Sequence, residues 1–464
     1  QGWRPMTLGD VTIWSSGGTP KKDVSEYWDG DIPWISANSM YGTRFGASNL
    51  KITEAGLKNG SRLAEKDSVL LLVRGGALHN RIPVGIATRD VAFNQDVKAL
   101  KARADLISPW YLLFWLMAHE KFLLESVVEY TGIGAGKLDT KRMQALPFLL
   151  PPAEEVSAIE GLAKAIDDRI VLLRETNATL EAMAQALFKS WFVDFDPVHA
   201  NANASTKQMI NPASSPSDFV GDPAAPLDSR LRGNDDLLPP ELQTHFPASF
   251  TASQQGLVPE GWKWLELDEA YELNPKRNLK KGALAKYLDM ASVGTSGHTA
   301  ESAINREFGS GTKFINGDTL LARITPCLEN GKTAFVDFLE EDEIGWGSTE
   351  FIVMRPKAPL PAYHAYLLAR FPVFREFAIQ SMSGTSGRQR VQNDVLGRYM
   401  LAVPGSAVAE LFGQTVEAMQ QKIAANHQQA QTLATLRDTL LPRLISGQLR
   451  LPEADAMQAE VCDV

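Results

Sequence analysis

Two regimes of apolar spacing alternate along the chain. From the start to about residue 150, and again from about 260 to 404, short apolar runs are cut by Gly, Asn and Pro. Ser68 to Val73, Val84 to Thr88 and Val97 to Lys101 in the first stretch have the length of short buried strands, as do Thr319 to Ile324, Thr333 to Phe338 and Glu350 to Arg355 in the second. Each series gives way to an aromatic-rich helical stretch, around Trp110 to Val128 and around Ala362 to Gln380. Both stretches therefore read as α+β.

After each comes a seven-residue spacing. Ile159, Ile166, Leu173, Leu180 and Leu187 are seven apart, with Leu162, Ile170, Met183 and Trp191 in the same stripe and neither Gly nor Pro between Leu162 and Trp191. At an offset of 253 stand Phe412, Met419, Asn426, Leu433 and Leu440, beside Ile423 and Leu436. A stripe sustained over this length predicts two long helices that bury it against each other, because neither is stable in water with it exposed. Asn426, facing a row of Leu and Ile, is a candidate for setting register.

Other pieces recur at nearly the same offset. Gly2-Trp3-Arg4 matches Gly261-Trp262-Lys263, and the stretch from Gly132 to Pro151 matches that from Gly384 to Pro404. The chain is thus a duplicated unit: domains 1–152 and 259–404, helices 153–192 and 405–447, a linker 193–258 rich in Pro, Ala, Ser, Asn and Asp, and a tail 448–464. A coil of 66 residues reaches about 45 Å, and a helix of about 36 residues is about 54 Å long. Connectivity alone leaves the direction of helix pairing open.

Charge first argues against a nucleic-acid partner, since the 464 residues carry net −9. By segment the balance is +3 in 1–152, zero in 261–404, −9 in 153–260 and −3 in 405–464. The acidity belongs to the helices, linker and tail, and the domain loops concentrate Arg, Lys, Asn and Gln. Cys327 and Cys462 are isolated, which predicts neither a disulfide framework nor a zinc site and fits a reducing cytoplasm. The most apolar stretch, Ile107 to Ala118, is short of the ~20 residues a bilayer requires, and no signal-peptide pattern opens the chain.

Motifs that carry catalysis fail on inspection. Asn330-Gly331-Lys332-Thr333 ends like a phosphate-binding loop, but Pro326 stands at its first glycine position and a strand-like run follows where a helix is needed. Gly132 to Lys137 is one residue too short for that motif and reads as a turn. GxSxG, HExxH, histidine clusters of metal-ligand type and the Asn/Asp-Pro-Pro-aromatic tetrapeptide of amino-methyltransferases do not occur. A binding or scaffolding protein is favoured over an enzyme.

Several motifs together resemble the DNA-specificity subunits of Type I restriction-modification systems. They are Gly17-Gly18-Thr19-Pro20, Tyr27-Trp28-Asp29-Gly30, Ile32-Pro33-Trp34-Ile35, Phe93-Asn94-Gln95-Asp96-Val97, Gly347-Ser348-Thr349-Glu350-Phe351, and Leu187 to Pro197 closing the first helix. The second half departs from the pattern, with Asn274-Pro275-Lys276-Arg277 and Tyr287-Leu288-Asp289-Met290 in place of the Gly-Gly-Thr-Pro and Trp-Asp-Gly pieces.

The resemblance implies two target-recognition domains joined by a pair of long antiparallel coiled-coil helices, each domain reading half of a split, non-palindromic target in double-stranded DNA. It implies no catalytic residue, metal or cofactor in this chain. S-adenosylmethionine, ATP and Mg2+ would act in two modification subunits, which methylate adenine N6, and two restriction (translocase-nuclease) subunits. A rigid spacer of about 54 Å suits readers one or more DNA turns of ~34–36 Å apart. Side chains expected to reach bases or phosphates are Arg74, Asn80, Arg81, Asn94 and Gln95 in the first domain, and Arg323, Lys332, Ser348, Thr349 and Arg388 in the second. The competing reading is a protein–protein scaffold whose coiled coil recruits partners without DNA.

Overall fold

The computed structural model describes residues 2–130, 134–210, 238–300, 303–385 and 387–449. The chain divides into two compact units, Gln1–Leu172 with Gln429–Val464, and Leu173–Gln428. Each long helix is therefore shared: its residues fall partly in one unit and partly in the other.

In the first unit a five-stranded sheet runs in the order Thr12–Ser16, Val97–Ala102, Val69–Leu72, Val84–Ala87, Arg44–Phe45. A second sheet runs Lys51–Ile52, Trp28–Ile35, Val91–Phe93, Leu63–Ala64. Within it Trp34 and Ile35 pair in parallel with Ala92 and Phe93. Val69–Leu72 is buried at every position, as an unbroken apolar run in the middle of a covered sheet must be. Helix Pro109–Ala118 packs on these strands; Ser108 accepts the Tyr111 N–H at 3.0 Å as its N-cap, and Pro109 occupies the first turn, where its missing donor costs nothing. Of the glycine-rich run read as a turn, residues 132 and 133 lie outside the described residues, and its end enters the strand Gly136–Leu138.

The second unit repeats the plan without a counterpart, among the described residues, to the edge strand Arg44–Phe45. Tyr271–Leu273, Phe351–Pro356, Thr319–Ala322 and Thr333–Phe335 form one sheet, and Ile304–Glu307, Leu284–Leu288, Gly345–Gly347 and Thr312–Phe314 the other. Tyr287 and Leu288 pair in parallel with Trp346 and Gly347, the counterpart of the Trp34 and Ile35 pairing. The single helix expected from Ala362 to Gln380 is two, Ala362–Arg370 and Pro372–Gln380, because Pro372 cannot continue the hydrogen-bond ladder. The stretch expected from Trp110 to Val128 likewise divides after Ala118 into Glu120–Phe122 and a wide turn, Leu123–Val127.

The long helices span Ala153–Phe192 and Ser406–Ile445. Within the first unit Ala163 packs with Leu441, and Asp167 meets Arg437 at 2.9 Å. Within the second, Asn177 meets Asn426 at 2.9 Å, and the Trp191 and Phe412 rings lie 5.5 Å apart. Residue numbers rise on one helix as they fall on the other, so in each unit the pairing is antiparallel. The expected stripe holds through Leu173 and then shifts. Met183 is 49 % exposed and Leu180 and Leu187 are half-buried, while Ala184 and Phe188 are buried in their place and Trp191 is buried as expected. A 3.6-residue turn drifts ~20° per heptad, and this end of the helix packs on the core of the second unit as well as on its partner helix.

Both ends of the segment read as linker, 193–258, carry regular structure. Helix Asp196–Ile210 follows the first long helix, and strands Phe250–Ser253 and Gly256–Pro259 form a hairpin. Val198, Phe246 and Val258 are buried in the second unit's core, and the Asn201 amide donates to the carbonyls of Gln243 and Phe246 at 3.0 and 2.9 Å. A composition of small polar residues concealed these few anchors. Residues 211–237, and 450–464 of the expected tail, lie outside the described residues. Among the described residues no helix is long and apolar enough to cross a membrane.

Candidate nucleic-acid interface

In the first unit three of the motifs meet at one turn. The Gly18 N–H donates to the Phe93 carbonyl at 2.9 Å, and the Trp34 indole donates to the Gly18 carbonyl at 3.1 Å. A Cβ on Gly17 would stand 2.1 Å from the Phe93 oxygen and 2.5 Å from that of Asn94, so only glycine allows the approach. Asn94 is 8 % exposed; its Oδ1 accepts the Asp96 N–H at 3.1 Å, which makes it a turn-former whose side chain is directed inward. Gln95 is exposed, accepting from the Thr19 hydroxyl at 2.6 Å and donating to Asp96 at 3.3 Å.

Beside this turn lies a row of cations. Arg74 is exposed on the short strand Arg74–Gly75 and faces Lys137 across an antiparallel pair with Gly136–Leu138. Lys98, on the strand Val97–Ala102, donates to the Ser16 hydroxyl at 2.5 Å. Partial burial, and then the Arg74 charge, hold the Lys98 ammonium below its usual pKa. Among the described residues Arg74, Lys98 and Lys137 make no ion pair; Glu129, opposite Lys137, is taken by Arg142. Asn80 is exposed just beyond the short helix Gly76–His79. Arg81 is spent locally, with both terminal nitrogens 3.2 Å from the Met40 carbonyl and its guanidinium 5.2 Å from the Tyr41 ring centre.

The second unit builds the same turn with other residues. Ser348, Thr349 and Glu350 follow strand Gly345–Gly347 as Asn94, Gln95 and Asp96 follow Val91–Phe93. The backbone frame is equivalent: the Val73 N–H donates to the Asp96 carbonyl at 2.8 Å, and the Arg323 N–H donates to that of Glu350 at 2.9 Å. Ser348 Oγ accepts the Glu350 N–H at 3.1 Å, and Thr349 is exposed. Arg323 donates to the Gln392 amide oxygen at 3.0 Å, and its Nε is buried without a partner among the described residues. Arg388 is exposed in the loop that joins Ser383 to Arg390. Lys332 stands apart, its ammonium donating to the Met290 carbonyl at 2.6 Å after the tight turn at Gly331.

Seven of the ten expected residues therefore gather near the two turns: Arg74 and Gln95 with the structural Asn94, and Arg323, Thr349 and Arg388 with Ser348 shaping their turn; Asn80 is exposed further along, beyond the helix Gly76–His79. Arg81 and Lys332 serve their own loops. Two cations at the same place were not singled out from the sequence, and a third, Arg390, was legible there as a loop cation but not among the expected contacts. Lys98 and Lys137 complete the cation row, and Arg390 forms a bidentate pair with Glu350, Nε to Oε2 at 2.9 Å and Nη2 to Oε1 at 2.6 Å. That bonding is the first cause that holds the Glu350 carboxyl below its ordinary pKa. Arg390 was detectable only as the second arginine of Arg388-Gln389-Arg390, and Lys137 only as the end of a glycine-rich run.

Known proteins resemble this chain. Residues 1–182 match the model of the Type I restriction modification DNA specificity domain. The Type I restriction enzyme MjaIX specificity subunit of Methanocaldococcus jannaschii is 23 % identical over 470 residues, covering 97 % of this chain and 94 % of that one. The HindI specificity subunit of Haemophilus influenzae is 23 % identical over 381 residues, 75 % of this chain and 79 % of its own. The solved S subunit of a Type I restriction-modification system from M. genitalium is similar over 96 % of both chains, at 14 % identity and a TM-score of 0.46. Residues 1–182 thus match a Type I restriction modification DNA specificity domain, and the chain is similar to a Type I restriction enzyme specificity subunit along nearly its whole length.

Proposed function

We propose that this chain directs a Type I restriction-modification complex to a bipartite, non-palindromic DNA sequence, each domain reading one half, and contributes no catalytic group itself. The observation that carries this reading is the duplicated frame with unlike side chains: two turns held by equivalent backbone hydrogen bonds expose Gln95 in one unit and Thr349 in the other. Like scaffolds with unlike contact groups suit two different half-sites. Modification subunits supply S-adenosylmethionine chemistry and restriction subunits the ATP-driven steps, in the cytoplasm. The neutral to mildly basic domains give weak DNA affinity alone, so the chain binds tightly only when its modification subunits close around the duplex.

Exchange of residues 1–152 for another recognition domain, followed by sequencing of methylated sites in cells with the modification subunit, tests the reading. One half of the methylated sequence should change and the other remain. A change in both halves, or in neither, rejects it.

A further inference from the structure

The Arg390 and Glu350 pair sits where the second domain presents its exposed groups, and its donors can be counted. A guanidinium has five N–H donors. Glu350 takes Nε–H and one Nη2–H, and the Arg388 carbonyl takes one Nη1–H at 3.3 Å. One donor on each terminal nitrogen has no partner among the described residues. Together these form the end-on fork that matches guanine O6 and N7 in the major groove.

The group is held firmly enough for that task. Arg390 exchanges both backbone hydrogen bonds with Ser383, at 2.9 and 3.0 Å, and Val391 next to it donates to the Arg323 carbonyl at 3.0 Å. The side chain is 37 % exposed. Thr349 and Arg388 are exposed close by in sequence to its two anchors. An ion pair serving only the fold would leave the fork covered or use all its donors, as Arg370 does by bonding the Tyr366 hydroxyl and the carbonyls of Thr295, Gly297, Gly331 and Thr333.

We infer that Arg390 is a specificity-determining residue that reads a guanine in the half-site of the second domain, and that Glu350 is the positioning residue that aims its fork. The inference rests on the DNA-recognition role proposed above. In the first domain the equivalent strand position holds Lys137, a point charge without that fork, so guanine reading by this device belongs to one half-site only.

The full chain, purified with the modification subunit of its own system, is used to select duplexes from a randomised pool, as wild type and as Arg390→Lys, Arg390→Ala and Glu350→Gln. Wild type selects a split motif. Both Arg390 variants lose about tenfold of the preference for guanine at one position of one half and keep every other position. Arg390→Lys retains the charge and the pair's fold, so its loss separates bidentate reading from plain attraction. Glu350→Gln keeps the guanine with a weaker preference. An unchanged motif in the Arg390 variants, or a uniform loss across all sequences, overturns the inference and leaves the recognition role standing. A wild-type complex that selects no motif overturns both.

Discussion

Asn426 donates its side-chain amide to Asn177 Oδ1 at 2.9 Å, and Asn177 in turn donates to the Ile423 carbonyl at 3.1 Å. A polar pair inside an apolar helix seam is satisfied only at one alignment, because a slip of one turn would leave both amides facing Leu or Ile. Asn426→Leu should cost about 1–2 kcal/mol, the penalty for stranding the amide of Asn177. Asn177→Leu with Asn426→Leu should recover most of that loss while broadening the unfolding transition. Urea unfolding of the two single variants and the double variant measures the coupling; strictly additive losses would show that the amides act independently.

Asp167 is 1 % exposed on the first long helix, yet three side chains bond to it. The Thr43 hydroxyl donates to it at 2.9 Å, Arg44 at 3.3 Å, and Arg437 of the second helix at 2.9 Å. The carboxylate thus ties the strand Arg44–Phe45, with Thr43 before it, to both helices within one unit. Removing one member of a buried ion pair strands the other, so Asp167→Ala should cost about 3–5 kcal/mol. Thr43→Val should cost about 1–2 kcal/mol, since the two arginines remain. Equal losses for the two variants, read by urea unfolding, would contradict the assignment of the load to the arginines.

His364 gives the second unit an acid-sensitive core. It is buried among the rings of Phe188, Phe192 and Phe412, with the Tyr271 hydroxyl hydrogen-bonded to Nδ1. Burial lowers its pKa from 6.5 to about 3. Between those values the unfolded chain binds the proton and the folded chain does not, so stability rises with pH there and falls as pH drops below 6.5. The slope for one such group approaches about 1.4 kcal/mol per pH unit. His364→Phe gives up the Tyr271 hydrogen bond, yet its stability should fall less steeply than that of the wild type over the two pH units or so below the ordinary histidine value. Chemical unfolding at a series of pH values compares the two slopes, and parallel curves would refute the role.

The repeat was legible because duplication preserves spacing: Phe412 predicted from Ile159 is buried, and Asn426 predicted as a register residue meets Asn177. Strand positions such as Val69–Leu72 were legible because an unbroken apolar run has few other homes. The candidate contact groups were harder to see. Asn94 looked like a base reader by residue type, yet it is needed to form its turn, and only the backbone bond to Asp96 reveals this. Arg390 and Glu350 are forty residues apart in sequence, and no local pattern joins them. Helix Asp196–Ile210 was hidden because its anchoring residue, Val198, is followed by a run of Ala, Asn, Ser and Thr with no apolar periodicity.

The cation row of the first domain makes a different prediction from the arginine fork of the second. Arg74, Lys98 and Lys137 lie together without an ion pair among the described residues, and the Lys98 ammonium is already held below its usual pKa by burial and by Arg74. Such a cluster is unfavourable on its own and is relieved by phosphate. Lysine's compact ammonium lacks the planar fork of arginine, so under the proposed role these two lysines are assigned to backbone phosphates. Lys98→Ala with Lys137→Ala should therefore weaken duplex binding by the full chain with its modification subunit equally for all sequences. Every phosphate deprived of its lysine takes ~0.9 off the slope of log K against log salt. A titration from low to moderate salt should show the double variant flatter by about 1.8 with its motif unchanged; a retained slope would place the phosphates elsewhere, and an altered motif would make these lysines readers of bases.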